Sequence, residues 1–260
     1  MRPKQIEHWR AVGFARRFAS NCPRAQVVEF DWGDEVILED HDGGRPRLKA
    51  ICVPCQHWCK RTLTDTNKCL WCSWVVQTLS AETAEQPNAP RLSYFFGGDT
   101  GYCGGVFRRV GDAYGPMDLA AIPIGAYGVP AERWFHQPNH MDTDEAVTCH
   151  CDLRARQSVA IHWVPPTRNR SCRKTGLACC MLHVAEELVC LCPSSLLCRL
   201  EIACCMDVPC CAQGTFLLTG EHILEPPRRL RQSLAAKSIA ADSFVSFEHG
   251  ETRVFDLLRR

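Results

Sequence analysis

Three residues combine metal-binding chemistry with positions where apolar runs meet loops: His57 after ICVPCQ, Asp99 within Gly-Gly-Asp-Thr-Gly, and His162 near the end of SVAIHWV. Imidazole nitrogen and carboxylate oxygen are donors for divalent metals. Strand ends are rigid, and their loops can converge on one crevice, so such donors are well placed there. An aspartate after an apolar strand and before Thr-Gly can direct both oxygens outward, as a carboxylate bridging two cations must. Taken singly, each residue has a plainer reading: Asp99 capping a turn, and the histidines filling a core with bonded ring nitrogens. A second set is thiol-based. Cys52-x2-Cys55, thirteen residues, then Cys69-x2-Cys72 has the spacing of a structural zinc ribbon. Against it, Trp58, Leu63, Leu70, Trp71 and Trp74 make the stretch between resemble core strand, and 19 cysteines raise the odds of an accidental double pair.

These donors need strands to carry them. Short β-branched and aromatic runs predict strands in AQVVEFDW, EVILED, RLKAICVP, KCLWCSWVV and RLSYFFGG, with His41-Asp42-Gly43-Gly44 a turn and QTLSAETAEQPNAP a polar loop. The nearly uninterrupted apolar run MDLAAIPIGAY suits a central strand, and SVAIHWV a buried one. Helices are expected at 4–20, where Ile6, Trp9, Val12 and Phe14 recur at helical spacing, at 106–113, at 143–153 behind a Thr-Asp cap, and in proline-initiated HILEPPRRLRQSLAAKS. DSFVSFEHGETRVFDL reads as a closing hairpin. Strands and helices alternate in a mixed α/β layout.

Composition narrows the function classes. With 260 residues, 46% hydrophobic and 23% charged, the chain suits one globular domain, or one domain with an insertion. A net charge of +1 gives no global basic field, which excludes nucleic acid as the expected partner. Arg10, Arg16 and Arg17 interrupt every N-terminal apolar run, so no signal peptide is read. The most apolar stretch, 177–206, is broken by Glu186, Glu187, Arg199 and Glu201, and falls short of the ~18 to 20 uncharged residues of a membrane span. Without a secretory signal, the cysteines outside 164–213 are expected to be reduced thiols.

Longer blocks then carry a resemblance. CQHWCKRTLTDTNKCLWCSW, FFGGDTGYC, GPMDLAAIPIGAY, RWF, HMDTDEA, SVAIHW, and GEHILEPP with FEHGETR resemble, in order and approximate spacing, the C-terminal part of the N-acyl-phosphatidylethanolamine-hydrolysing phospholipase D family. The resemblance covers roughly 10–163 and 214–255, with an extra polar loop at 77–90 and a few added residues after Tyr127. It implies a metallo-β-lactamase-like αββα sandwich with a two-zinc centre at one edge. It also implies that His57 and His162 are metal ligands, that Asp99 is the bridging and catalytic carboxylate, and that His140 lies near the substrate phosphate. A structural role for His140 at a helix start stays open beside that. The implied chemistry is hydrolysis of an N-acylated ethanolamine phospholipid to an N-acylethanolamine and phosphatidate, by a zinc-activated water attacking phosphorus. By the same resemblance the protein is expected to be intracellular and cytoplasmic, peripherally associated with a membrane surface, with a homodimer as an open alternative to a monomer.

Two departures qualify this expectation. The family's H-x-H-x-D-H block, which supplies further metal ligands, is absent, since only His8 and His41 precede His57 and neither begins it. The fold is therefore expected to be incomplete at the N-terminus, the three donors to hold at most one zinc, weakly, and this chain alone to have little or no activity. A non-catalytic zinc module built on Cys52, Cys55, Cys69 and Cys72 is the competing function. The second departure is 164–213, which holds ten of the 19 cysteines, several adjacent. Deleting it joins AIHW to GTFLLTGEHILEPP, as in the continuous family sequence. Valine codons begin with GT, and Pro-Cys-Cys-Ala-Gln can be encoded by a pyrimidine-rich run ending in CAG. The segment is therefore expected to be a Cys-rich insertion of retained-intron origin within one partial domain spanning 1–260.

Overall fold

The computed structural model describes residues 28–38, 47–60, 63–79, 90–163, 199–203, 219–222, 224–247 and 251–257. Seven strands form one sheet in the order β1-β2-β3-β4-β5-β6-β8: β1 (Glu35–Leu38), β2 (Leu48–Val53), β3 (Ser73–Leu79), β4 (Pro90–Phe96), β5 (Leu119–Pro123), β6 (Gln157–Ile161) and β8 (Phe244–Val245). The first four are an antiparallel meander, and from β4 onward the pairing is parallel. Parallel neighbours need crossovers, which α1 (Gly104–Tyr114), α3 (Thr143–Asp152) and α4 (Glu225–Ala236) supply. A short helix α2 (Arg133–His136) precedes α3. As its apolar run requires, all five residues of β5 are buried, because layers pack against both faces.

Successive side chains point to opposite faces of a strand, so the sheet has two distinct packing surfaces. On one, Phe95, Ala120, Ile122 and Ala160 meet Phe107 and Val110 of α1, Val147 of α3, and Leu230 and Leu234 of α4. On the other, Tyr94, Leu119, Ala121 and Val159 meet Phe247, Phe255 and Leu257. Phe255 belongs to β9 (Thr252–Asp256), which pairs antiparallel with β7 (Arg199–Ala203) in a separate two-stranded sheet. Helix α3 starts in a capping box: the Asp142 carboxylate accepts from Glu145 N–H, and Glu145 accepts from Asp142 N–H. Glycine is obligatory at Gly111, where a Cβ would lie 2.2 Å from the Asp152 carbonyl, so α1 crosses the end of α3 at backbone contact.

Several sequence expectations are corrected. The closing hairpin does not form: Phe244 enters the helix-covered core while Phe255 packs on the opposite face, so β8 and β9 belong to different sheets. Residues 28–32 of AQVVEFDW lead into a turn, closed by Asp34 N–H on the Asp31 carbonyl, instead of a strand. In KCLWCSWVV the strand begins only at Ser73, because Cys69 is held in the preceding loop by its N–H on Cys59 Sγ. The helix expected at 4–20 lies outside the described residues, as does all of 164–213 except Arg199–Ala203, which is β7.

Candidate metal centre

The chain beyond β2, β4 and β6 delivers donors to one edge of the sheet. Asp99 follows β4, His162 follows β6, and His57 lies beyond β2, past the bridge between Gln56 and Gly101. His140 arrives from the α2–α3 connection. His57 Nε2 is 3.3 Å and His162 Nε2 3.8 Å from Asp99 Oδ2, so the carboxylate sits between the two imidazoles. His57, Asp99 and His140 each offer a ligand atom within 4.8 Å of the others, and the His140 ring stacks on that of His162. The four residues singled out from sequence therefore converge.

His162 adopts a left-handed backbone (φ +53°), which costs a non-glycine residue about 1 to 2 kcal/mol. Its surroundings compensate. Ile124 N–H bonds to the Ile161 carbonyl, and Gly125 packs so tightly that a Cβ there would lie 2.3 Å from the His162 carbonyl. The next turn is clamped by Glu221, whose carboxylate accepts from Ala126 N–H (2.7 Å), Gly128 N–H (3.0 Å) and the Thr219 hydroxyl. His140 is fixed by Arg133, which donates to the His140 carbonyl at 2.8 Å and pairs with Glu145.

The electrostatics favour a cation among these groups. Burial works against the Asp99 carboxylate, yet the facing His57, His162 and His140 hold it below the ordinary aspartate range. Burial, reinforced by neighbouring His162, pushes His140 down to about 3. Burial likewise lowers His162, with Asp99 opposing. Both rings are thus neutral at pH 7, with lone pairs available. His57 Nε2, His140 Nδ1 and His162 Nδ1 are buried with no hydrogen-bond partner among the described residues. Unpaired buried polar atoms are costly, and neutral imidazoles gathered about one carboxylate fit a metal with nitrogen and oxygen ligands.

Residues 3–163 match the family model described as "Beta-lactamase superfamily domain". The chain belongs to the β-lactamase superfamily. Over 137 residues it is 39% identical to "N-acyl-phosphatidylethanolamine-hydrolyzing phospholipase D 1" of Caenorhabditis elegans, covering 53% of this chain and 34% of the worm protein. Over 231 residues it is 28% identical to "N-acyl-phosphatidylethanolamine-hydrolyzing phospholipase D, mitochondrial" of Saccharomyces cerevisiae, covering 88% of this chain and 35% of the yeast protein. The chain spans about a third of the length of these relatives. Among solved structures, the CmlA beta-hydroxylase E377D mutant is similar over 89% of this chain and 34% of its own, at 10% identity and a TM-score of 0.46. The seven-stranded mixed sheet with crossover helices is this superfamily's α/β arrangement.

Within this β-lactamase-superfamily chain the thiol set does not gather. Among the described residues, His57, Asp99 and His140 form the group with metal-ligand spacing, and the cysteines are not in it. Cys52 and Cys72 share a side-chain hydrogen bond, Cys55 bonds Ser73 and Thr100, and Cys69 meets Cys59 through its main chain. Burial pushes Cys55 up to about 12, leaving a protonated thiol that behaves as a small core side chain. Glu221 and Arg133 were not singled out from sequence. Glu221 bonds peptide groups 93 and 95 residues away and Arg133 bonds the His140 carbonyl and the Glu145 carboxylate, and the only local hints were their places in the GEHILEPP and RWF blocks. No helix among the described residues is long and apolar enough to cross a membrane.

Proposed function

We propose that this chain carries part of the active site of a zinc-dependent phosphodiesterase of the phospholipase D type, which hydrolyses N-acyl-phosphatidylethanolamine to an N-acylethanolamine and phosphatidate. The Asp99 carboxylate lying between His57 Nε2 (3.3 Å) and His162 Nε2 (3.8 Å), with His140 beside them, carries this reading. The substrate is taken from the names of the worm and yeast relatives. Asp99, flanked by His57 and His162, holds the metal. When bound, zinc makes water acidic enough to supply a nucleophile near neutral pH and stabilises charge on phosphoryl oxygens. Neutral His140 offers a hydrogen bond to the phosphate beside those donors. Arg133 and Glu221 hold His140 and the turn behind His162 in place. H-x-H-x-D-H does not occur in the 260 residues, so on this reading they bind at most one zinc, weakly, and turn over little substrate by themselves.

A membrane surface suits the same edge. Trp134 and Phe135 on α2 are 76% and 60% exposed, and ring contacts run from them through His136 to His140. An exposed aromatic pair beside a lipid-hydrolysing site is suited to the interfacial layer of a bilayer. The test is hydrolysis of vesicles containing N-acyl-phosphatidylethanolamine, with products identified by mass. The 260 residues alone should give no zinc-dependent turnover above a His162→Ala control. Preceded by the N-terminal part of the worm relative, they should give turnover that Asp99→Ala abolishes. Turnover indifferent to Asp99→Ala would overturn the reading.

Residues 164–213 are read, as a further part of this proposal, as a retained intron inside one partial domain. Pairing of Arg199–Ala203 with β9 is compatible with that origin, because an open strand edge bonds any extended segment through backbone groups alone. A spliced message that encodes 164–213 in most tissues, or a donor position lacking GT, would remove this reading.

A further inference from the structure

One residue adjoins Asp99 and touches the chain neighbours of both His57 and His140. Thr100 follows Asp99 directly and is fully buried. Its hydroxyl accepts from Gln56 N–H at 2.9 Å, and its proton is directed at the carbonyls of Gly101 (2.9 Å) and Gln56 (3.2 Å). Its own carbonyl accepts from Met141 N–H at 3.0 Å. Gln56 precedes His57 and Met141 follows His140, so the backbones carrying His57, Asp99 and His140 all meet at Thr100. Two further contacts tighten the junction: Gly101 N–H bonds the Gln56 carbonyl at 2.8 Å, and Gln56 Nε2 donates to the Pro138 carbonyl at 3.0 Å. A Cβ at Gly101 would lie 2.6 Å from the Pro138 carbonyl, so the three segments are in backbone contact there.

We propose that Thr100 is the positioning residue of this centre, its hydroxyl setting the His57 segment against Asp99 and its carbonyl setting the His140 segment. This rests on the reading of the cluster as a metal centre. The two attachments differ chemically. The Met141 bond uses only main chain and survives any side chain at position 100. The Gln56 bond needs the hydroxyl, so its loss acts on His57 first.

Thr100→Val keeps the shape and removes the hydroxyl, whereas Thr100→Ser keeps the hydroxyl and drops a methyl. In the full 260-residue chain, zinc affinity is measured calorimetrically, with Asp99→Asn as the blank that subtracts metal bound by thiols. Thr100→Val is expected to weaken the Asp99-dependent site by about tenfold or more, the scale of outer-shell effects on metal affinity, with Thr100→Ser restoring it. In the metal-free protein, imidazole nitrogen–proton correlation spectra should show His57 signals displaced in Thr100→Val and restored in Thr100→Ser, while His150 signals stay in place. A merely structural role would lower stability without that selective displacement. Wild-type zinc affinity and unmoved His57 signals in a folded Thr100→Val variant would overturn the proposal, as would Thr100→Ser behaving like Thr100→Val. Should the wild type bind no more zinc than Asp99→Asn, the metal reading fails, and the His57 signals alone decide whether Thr100 positions that segment.

Discussion

The imidazole of His140 lies nearly parallel to that of His162, with centroids 5.2 Å apart and planes 15° from each other. Two protonated rings could not stack so closely in a buried site, and burial keeps both below the usual histidine range. The pair therefore presents two neutral rings beside one carboxylate, with different tasks assigned to each.

Single substitutions separate those tasks. His162→Ala is expected to lower zinc affinity by more than about tenfold, since it removes a donor where outer-shell changes alone cost that much. His140→Ala should keep zinc and weaken binding of a dialkyl phosphate by about tenfold, the worth of one hydrogen bond to a charged group. Paired metal and phosphate titrations check this, and loss of zinc in His140→Ala would reassign that residue as a ligand.

Glu221 is a stability residue by the same geometry. Replacing it with alanine strands the buried N–H groups of Ala126 and Gly128, each costing about 1 to 3 kcal/mol. Urea unfolding should show a loss of about 2 kcal/mol or more for Glu221→Ala, and a smaller one for Glu221→Gln.

A pH effect follows from His150, buried with Nδ1 at 2.8 Å from Ser158 Oγ and lowered by burial. Its folded-state pKa lies below its unfolded value near 6.5, so unfolding takes up a proton once pH falls below about 6.5. The contribution is fully present above that value and is lost as pH falls, by about 1.4 kcal/mol per pH unit until the folded pKa is reached. Melting temperatures of the metal-free protein should fall less steeply below pH 6 in His150→Asn than in the wild type.

Removing the exposed ring pair tests the lipid edge. Trp134→Ala with Phe135→Ala is expected to reduce sedimentation with phosphatidylethanolamine vesicles severalfold while leaving zinc affinity unchanged, because both side chains are exposed and point away from the core. Equal sedimentation would place the membrane contact elsewhere.

How much of this was legible in sequence depended on how local the signal was. LAAIP announced a buried central strand because five apolar residues can be satisfied in few other ways. Asp99 and His162 were visible as donors at strand ends, but only the FFGGDTGYC and SVAIHW blocks of the resemblance lifted them above their plainer readings as a turn cap and a core histidine. The double Cys-x2-Cys spacing misled, since spacing does not tell that Cys52 and Cys72 face each other while Cys55 turns toward Thr100. The closing hairpin misled because adjacent strand-like runs say nothing about which face each will bury. The roles of Thr100 and Glu221 were out of reach although both lie in blocks that carry the resemblance: their partners lie 44 and 95 residues away, and peptide-group partners leave no mark in a sequence.

The central claim is that Asp99, between His57 and His162, is the anchor of a metal centre and that the clustered cysteines are not. Zinc bound per chain, measured after dialysis for the wild type, Asp99→Asn and Cys55→Ser, tests it most directly. The expected result is loss of one zinc per chain in Asp99→Asn and its retention in Cys55→Ser. Retention in Asp99→Asn with loss in Cys55→Ser would contradict the account.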